Sequence, residues 1–308
     1  MDSHVDVVVV SYNTKDLLLE CLASVFESTQ SRNVRVVVVD NASQDGSLEA
    51  VRRLFPQTKA ISNTTNIGFG AACNQAIRIT DSPFILLLNS DARLTSQAFE
   101  ALCDCFEHNA RCGAAGCRLI DAEGTEETST RNFLTPLNQA LELAGIKFGS
   151  TVQRTSRPVI ERESADCSVD WIAGACLMLR RVAIEEAGLF DEAFFMYSED
   201  EDLCFRLRKT GWSVCYCGQA TAIHHRAGSS RLNKDQALRQ FYESQILFLS
   251  KHRGRGSTVL FARMMKTVLV IKVLLSSTRP KRDAARAHLK ALEEAWRHHV
   301  GEHVNGRR

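Results

Sequence analysis

Apolar residues follow two rhythms over residues 5 to 118. Short apolar runs occur at Val7–Val10, at Val34–Val39, broken only by Arg35, and at Phe84-Ile85-Leu86-Leu87-Leu88, the last bounded by Pro83 and by Asn89. Runs of this length, closed by polar residues, read as strands covered on both faces, as in a parallel sheet. Between them, apolar residues recur at helical spacing: Leu18, Cys21, Leu22 and Val25; Leu48, Val51, Leu54 and Phe55; Cys73, Ala76 and Ile77; Phe99, Leu102, Cys103 and Phe106. A further short strand is expected around Ala60 and Ile61. The alternation predicts an α/β fold whose mostly parallel sheet is flanked by helices on both faces.

In such a sheet the loops after the strands converge at the carboxyl edge, where open α/β sheets bind ligands. Ser11-Tyr12-Asn13, Asp40-Asn41, Asn66-Ile67-Gly68-Phe69-Gly70 and Asn89-Ser90-Asp91 are therefore expected to line one crevice. The turn after the first strand, Ser11 to Asp16, contains no glycine. Pyrophosphate approach in dinucleotide-binding oxidoreductases requires glycine there, so that class is set aside.

From Asp121 to Asp166 periodicity is weak, which fits either a functional loop or a surface insert. Strand character returns at Val169 to Leu179. A helix carrying Leu203 and Leu207 is expected to stop at Gly211, and Trp212 to Cys217 reads as another strand. Ahead of that helix stands Ser198-Glu199-Asp200-Glu201-Asp202. Ser198 with Glu201 has the spacing of a capping box, which accounts for one or two carboxylates. Four acids in succession repel one another, and the excess points to a cation or a base function.

Asp91 follows a buried strand, and Ser96 is available to cap the next helix, which leaves Asp91 free for another task. A carboxylate at that address suits a hard cation that keeps phosphate oxygens in its shell. Asp40 fits two readings equally, a turn residue or a contact to a nucleotide base or ribose. His225, within His225-Arg226-Ala227-Gly228-Ser229-Ser230, is a candidate for completing a metal shell or touching phosphate.

Composition narrows the picture only a little. Across 308 residues the formal net charge is +2, which gives no sign of a nucleic-acid partner. The amino terminus has no basic segment ahead of a long apolar run, so neither a signal peptide nor an anchor is expected and the compartment reads as cytoplasmic. The eleven cysteines then read as reduced, buried thiols. The close pairs Cys103/Cys105 and Cys215/Cys217 lack the usual zinc spacing, so metal binding by cysteine is not expected.

The carboxy-terminal region differs. Between Lys251 and Arg282 there are nine Lys and Arg residues and no Asp or Glu, with apolar residues from Val259 to Leu275 among them. No uncharged run is long enough to cross a bilayer. The segment suits a helix lying on an anionic membrane surface at the inner face, or a helix packed on the rest of the chain with solvated cations. Ala285, Leu289, Leu292 and Trp296 outline a further amphipathic helix.

Taken in order, several of these residues resemble a family: Val9-Val10-Ser11-Tyr12-Asn13, Val38-Val39-Asp40-Asn41-Ala42-Ser43, Asn66 to Gly70 with Asn74, Leu88 to Asp91, Trp171 with Gly174-Ala175, Glu199-Asp200 with Asp202-Leu203, and His225 with Gly228 and Ser230. The ordered set is similar to family 2 glycosyltransferases, in the branch of the rhamnosyltransferases of cell-surface polysaccharide assembly. The resemblance implies a GT-A catalytic domain over 1–230, a helical extension over 231–308, a nucleotide-sugar donor, a glycan or lipid-linked acceptor and a divalent cation, Mg or Mn. By the same resemblance Asp200 is the general base, and Asp91 and His225 are metal ligands. Ser11, Tyr12, Asn13, Asp40, Asn66, Gly68, Asn74 and Asn89 would contact the donor, and Trp171, Gly174, Glu199 and Asp202 the acceptor. The family's Asp-x-Asp is represented by Asn89-Ser90-Asp91, so Asp91 is its single carboxylate. A non-catalytic sugar-nucleotide-binding protein and a nucleotidyltransferase remain alternatives on the residues alone.

Overall fold

The computed structural model describes residues 4–146, 168–225 and 234–305. Gly228 and Ser230, and the weakly periodic stretch from 147 onward, lie outside the described residues. Two compact units are formed. Of the described residues, the first holds 4–132, 168–193 and 200–225, and the second gathers 133–146, 194–199 and 234–305.

In the first unit, β1 (Val5–Ser11), β2 (Val34–Asp40), β3 (Lys59–Ser62) and β4 (Phe84–Asn89) pair in parallel, in the order β3-β2-β1-β4. The valine and leucine runs supply both faces. Val5, Val7 and Val9 pack into one apolar cluster with α1 (Lys15–Ser28) and α4 (Ser96–His108), while α3 (Phe69–Arg78) packs on β1 and β2. Thr95, not Ser96, caps α4: its Oγ1 accepts the Ala98 N–H at 3.0 Å.

Beyond β4 the sheet continues through β9 (Cys176–Arg180), β6 (Cys112–Ile120), β10 (Ser213–His224) and β5 (Ala92–Arg93). Here β9 runs antiparallel to both neighbours, whereas β6 and β10 are parallel to each other. Since β9 opposes β4, the start of β9 lies beside the carboxyl end of β4. Asn89 N–H donates to Ala175 O at 3.0 Å across that junction.

β6, Cys112-Gly113-Ala114-Ala115-Gly116-Cys117-Arg118-Leu119-Ile120, is a central strand without bulky residues in its first half. Its small side chains answer close neighbours. A Cβ on Gly116 would stand 2.2 Å from Ile172 Cγ2, and one on Gly113 would stand 2.8 Å from Trp212 Cβ.

The second unit is helical. It comprises α5 (Pro136–Leu143), α8 (Lys234–Leu275, broken at Gly254, φ 78°) and α9 (Arg279–Asn305), together with residues 194–199. Helices α8 and α9 pack together, burying Thr258, Phe261, Met265 and Leu269 of the one and Ala285, Leu292 and Ala295 of the other.

Candidate active site

Parallel register brings three polar strand ends level: Ser11 is paired with Asp40, and Val10 with Asn89. The loops after them are knitted together by side chains. Ser11 Oγ lies 3.1 Å from Thr14 Oγ1, which is 2.8 Å from Ser90 Oγ. Asn13, at φ 54°, receives the Gln44 N–H on its carboxamide oxygen and donates its own N–H to Ser43 Oγ. Asn41 Nδ2 donates to Asn66 Oδ1 and to Gly68 O, each at 3.1 Å, and Asn66 Oδ1 also accepts the Gly68 N–H. Tyr12 is half-buried at the same edge.

Within this web Asp40 is held but incompletely satisfied. Its Oδ2 accepts the Ser43 N–H at 3.0 Å, while Oδ1 is buried without a hydrogen-bond partner. A buried acceptor without a donor is costly unless a ligand supplies one.

Asp91 is also buried, and the short pairing of β5 with β10 sets it against the end of β10. His224 Nε2 lies 3.3 Å from Asp91 Oδ1, and His224 Nδ1 lies 3.0 Å from Glu127 Oε2. Burial alone would lower the pKa of His224. The bond and charge of Asp91, joined by those of Glu127, outweigh it, and the net shift is upward. The next residue, His225, donates its N–H to Asp91 O at 2.9 Å, and its Nε2 is buried without a partner.

Asp200 lies in the first turn of α7 (Glu199–Lys209). Its carboxylate accepts the Gly174 N–H on Oδ2 and the Glu201 N–H on Oδ1, both at 2.8 Å. Burial raises its pKa, and these backbone donors pull it back only in part. Trp171 bears on the same carboxylate and also lowers its pKa, although its Nε1 makes no full hydrogen bond. The run into the helix is strained: Tyr197 and Ser198 both have positive φ, 70° and 60°. Ser198 therefore lacks the extended conformation of a capping residue, and the capping box expected with Glu201 is not the basis of this helix start. Glu199, the first helical residue, is buried.

One short path joins the two carboxylates. Asp200 holds Gly174, Ala175 holds Asn89, and Asp91 is two residues on from Asn89. A Cβ on Gly174 would stand 3.4 Å from Asp200 Oδ2, so the backbone approaches the carboxylate closely there.

Two expected ligand contacts are engaged elsewhere. Asn74 gives its amide to Phe190 O and Glu192 Oε1, both at 2.9 Å, and takes the Phe190 N–H at 3.0 Å. Its carboxamide thereby ties α3 to the 190–192 segment instead of facing a donor. Asp202 is fully buried and bonds Arg206 at 2.7 Å. Arg206 in turn caps Ala187 O, Gly188 O and Leu189 O. Asp202 thus braces this same loop and is withdrawn from the acceptor contacts.

The sequence reading missed His224 and Glu127. The signal for the first was faint, an imidazole next to one already chosen. Glu127 stands in the weakly periodic stretch, where nothing distinguished it.

Residues 6–186 match the profile of Glycosyl transferase family 2. The N-acetylglucosaminyl-diphospho-decaprenol L-rhamnosyltransferase of Mycobacterium tuberculosis is 30% identical over 84% of this chain and 92% of its own. Rhamnosyltransferase WbbL of Escherichia coli K12 is 25% identical over 80% and 93%. Among solved structures, the mannosyltransferase PcManGT of Pyrobaculum calidifontis, in complex with GDP-Man and Mn2+, superposes with a TM-score of 0.60 at 16% identity, over 94% of this chain and 85% of that one.

Proposed function

The chain belongs to glycosyltransferase family 2, and from that premise we propose that it is an inverting, rhamnosyltransferase-like enzyme that moves a sugar from a nucleotide-sugar donor to a hydroxyl of a lipid-linked or glycan acceptor. The observation that carries this reading is the buried carboxylate of Asp200, held by two backbone N–H groups without a cation and joined through Gly174-Ala175 to the end of the strand that leads to Asp91.

In this reading Asp40 Oδ1 accepts a hydrogen bond from the nucleoside, the donor that the buried oxygen lacks. Asp91 supplies a carboxylate oxygen, which suits Mn2+ or Mg2+, and the unpartnered Nε2 of His225 supplies an imidazole, which favours the softer Mn2+ of the two. A cation bound there would neutralise charge on the departing diphosphate. His224, fixed between Asp91 and Glu127, holds the Asp91 carboxylate in orientation.

Asp200 takes the proton of the acceptor hydroxyl as that oxygen bonds to the anomeric carbon. The bond from that carbon to the phosphate oxygen breaks, and its electron pair leaves with the diphosphate. Attack opposite the leaving group inverts the configuration. Gly174, Trp171 and Glu201 keep the base aimed.

A partner surface is proposed for the second unit. Among the described residues no helix is long and apolar enough to cross a membrane. However, Ile271, Leu274 and Leu275 are exposed at the end of α8, with Arg279 nearby at 93% side-chain exposure. Lys272 Nζ donates to Leu143 O at 2.6 Å, and Arg279 Nε lies 3.7 Å from Asp283 Oδ2. Apolar side chains rimmed by basic ones suit an anionic lipid surface carrying a lipid-linked acceptor. Leu274→Glu with Leu275→Glu should reduce co-sedimentation with anionic vesicles, and unchanged co-sedimentation would exclude this face.

The main reading is tested by incubating purified enzyme and Mn2+ with a panel of nucleotide sugars, with and without a polyprenyl-diphosphate-linked acceptor. Transfer from a deoxyhexose nucleotide is the expected result. Absence of both binding and turnover across the panel would overturn it.

A further inference from the structure

Each of the two close cysteine pairs contributes one member to a cluster that the sequence spacing did not suggest. Cys105 in the last turn of α4, Cys112 at the start of β6 and Cys215 near the start of β10 bring their sulfurs together, all within 4.8 Å of one another, with Cys105 and Cys112 at 3.9 Å. We propose that these three cysteines bind a thiophilic closed-shell metal ion of the zinc class, separate from the transfer site.

Four features support the assignment. First, metal–sulfur bonds of about 2.3 Å require sulfurs roughly 3.8–4.0 Å apart, so this trio closes around an ion by moving less than about 1 Å. Second, Cys112 and Cys215 are buried whereas Cys105 is partly exposed, which gives the ion a way in and leaves room for water as a fourth ligand. Third, the surroundings suit thiolate. Asn109 Nδ2 points at Cys215 Sγ from 3.7 Å and Ser213 Oγ lies 3.6 Å from it, the kind of outer contact that steadies metal-bound sulfur. Fourth, a divalent ion with three thiolates carries one net negative charge. Arg180, whose guanidinium could offset that charge, is locked in place beside the cluster by bonds to Cys112 O, Phe106 O and Asn109 O.

Without an ion Cys112 and Cys215 keep their protons. The bond with Cys105, ahead of burial, pushes the Cys215 thiol up to about 11, and Cys112 is raised well above its usual value by the same neighbour first. Metal–sulfur bonds at Cys112 and Cys215 therefore form as their protons leave to solvent, so affinity rises with pH. The cluster lies at the amino ends of β6 and β10, whereas His224 closes the far end of β10. The ion would act as a staple between α4 and two strands, with no part in the transfer.

The test uses the full-length, reduced, chelator-stripped protein and metal alone. Titration with Cd2+ should give a sulfur-to-metal charge-transfer band saturating at one equivalent, and Zn2+ should bind with the same stoichiometry against a chromophoric chelator and raise the melting temperature. X-ray absorption on the zinc form should count three sulfur ligands. Cys105→Ser, at a partly exposed helix position, should weaken binding by about tenfold or more while circular dichroism stays native. Equal binding by Cys105→Ser, fewer than three sulfurs in the wild type, or loss of two thiols to a disulfide when no metal is present would each overturn the assignment.

Discussion

The two ends of one sheet treat buried carboxylates in opposite ways. At the amino end Asp6 is fully buried and fully answered: Arg35 Nε donates to it at 2.7 Å, Arg181 at 3.3 Å and the Ser82 N–H at 3.0 Å. At the carboxyl end Asp40 keeps a bare oxygen, and Asp200 is held by backbone N–H groups and Trp171 rather than by arginines, with its pKa raised by burial. The first arrangement joins β1 to β2 and to the start of α6 (Arg181–Ala187), and it leaves nothing for a ligand to do. The second leaves acceptor capacity in a place where strand ends converge. Equal burial with unequal satisfaction separates a structural carboxylate from one available for chemistry.

Substitutions can break this contrast. The largest effect on folding is expected from Asp6→Asn, which leaves two arginines without their anion. Breaking such a pair costs about 3–5 kcal/mol, read as a lower denaturant midpoint, while turnover per folded molecule stays unchanged. At the other end Asp91→Asn should lower the midpoint less, since His224 keeps Glu127 as an anionic partner, but should lower kcat/KM by roughly 10²–10³-fold, the scale of losing one group that meets developing charge, and should raise the Mn2+ concentration needed. If both variants lost stability and activity together, the two ends would not differ in the way described.

A subtler effect is expected in the pH profile. Asp200 accepts a proton only as a carboxylate, and burial raises its pKa above the ordinary value of 3.8. Activity should therefore fall as pH drops through that raised pKa, placing the acid limb of kcat above the usual carboxylate range, with about a tenfold loss per pH unit below it. An acid limb at the ordinary value would mean that the group titrating in catalysis is a solvated one.

Much of the first unit was legible in the sequence, and the exceptions have physical causes. β1, β2 and β4 announced themselves because buried parallel strands need continuous apolar runs. β6 did not, since Gly113 and Gly116 are small to admit Trp212 and Ile172, a demand made by distant residues. β10 was expected to stop at Cys217 but runs to His224, past a register irregularity between Cys217 and Thr221 where Gly218 interrupts the pattern. That extension is what brings His224 to Asp91. Asp40, Asp91 and Asp200 could be picked out because strand ends and acid clusters are local features. Asn74 and Asp202 carried the motif's spacing, yet their partners, Phe190 and Arg206, assign them to bracing a loop. The three-cysteine cluster was invisible for the same reason, as its members come from three different elements. The division at residue 230 was also too simple, because α5 and residues 194–199 join the carboxy-terminal helices.

The central claim is that Asp200 removes the acceptor proton from a site where the donor is held by other residues. Single-turnover transfer by Asp200→Asn, measured beside its affinity for the nucleotide sugar, tests this most directly. The account predicts a rate lowered by about 10²–10⁴-fold with donor affinity unchanged; a variant that transfers at the wild-type rate would contradict it.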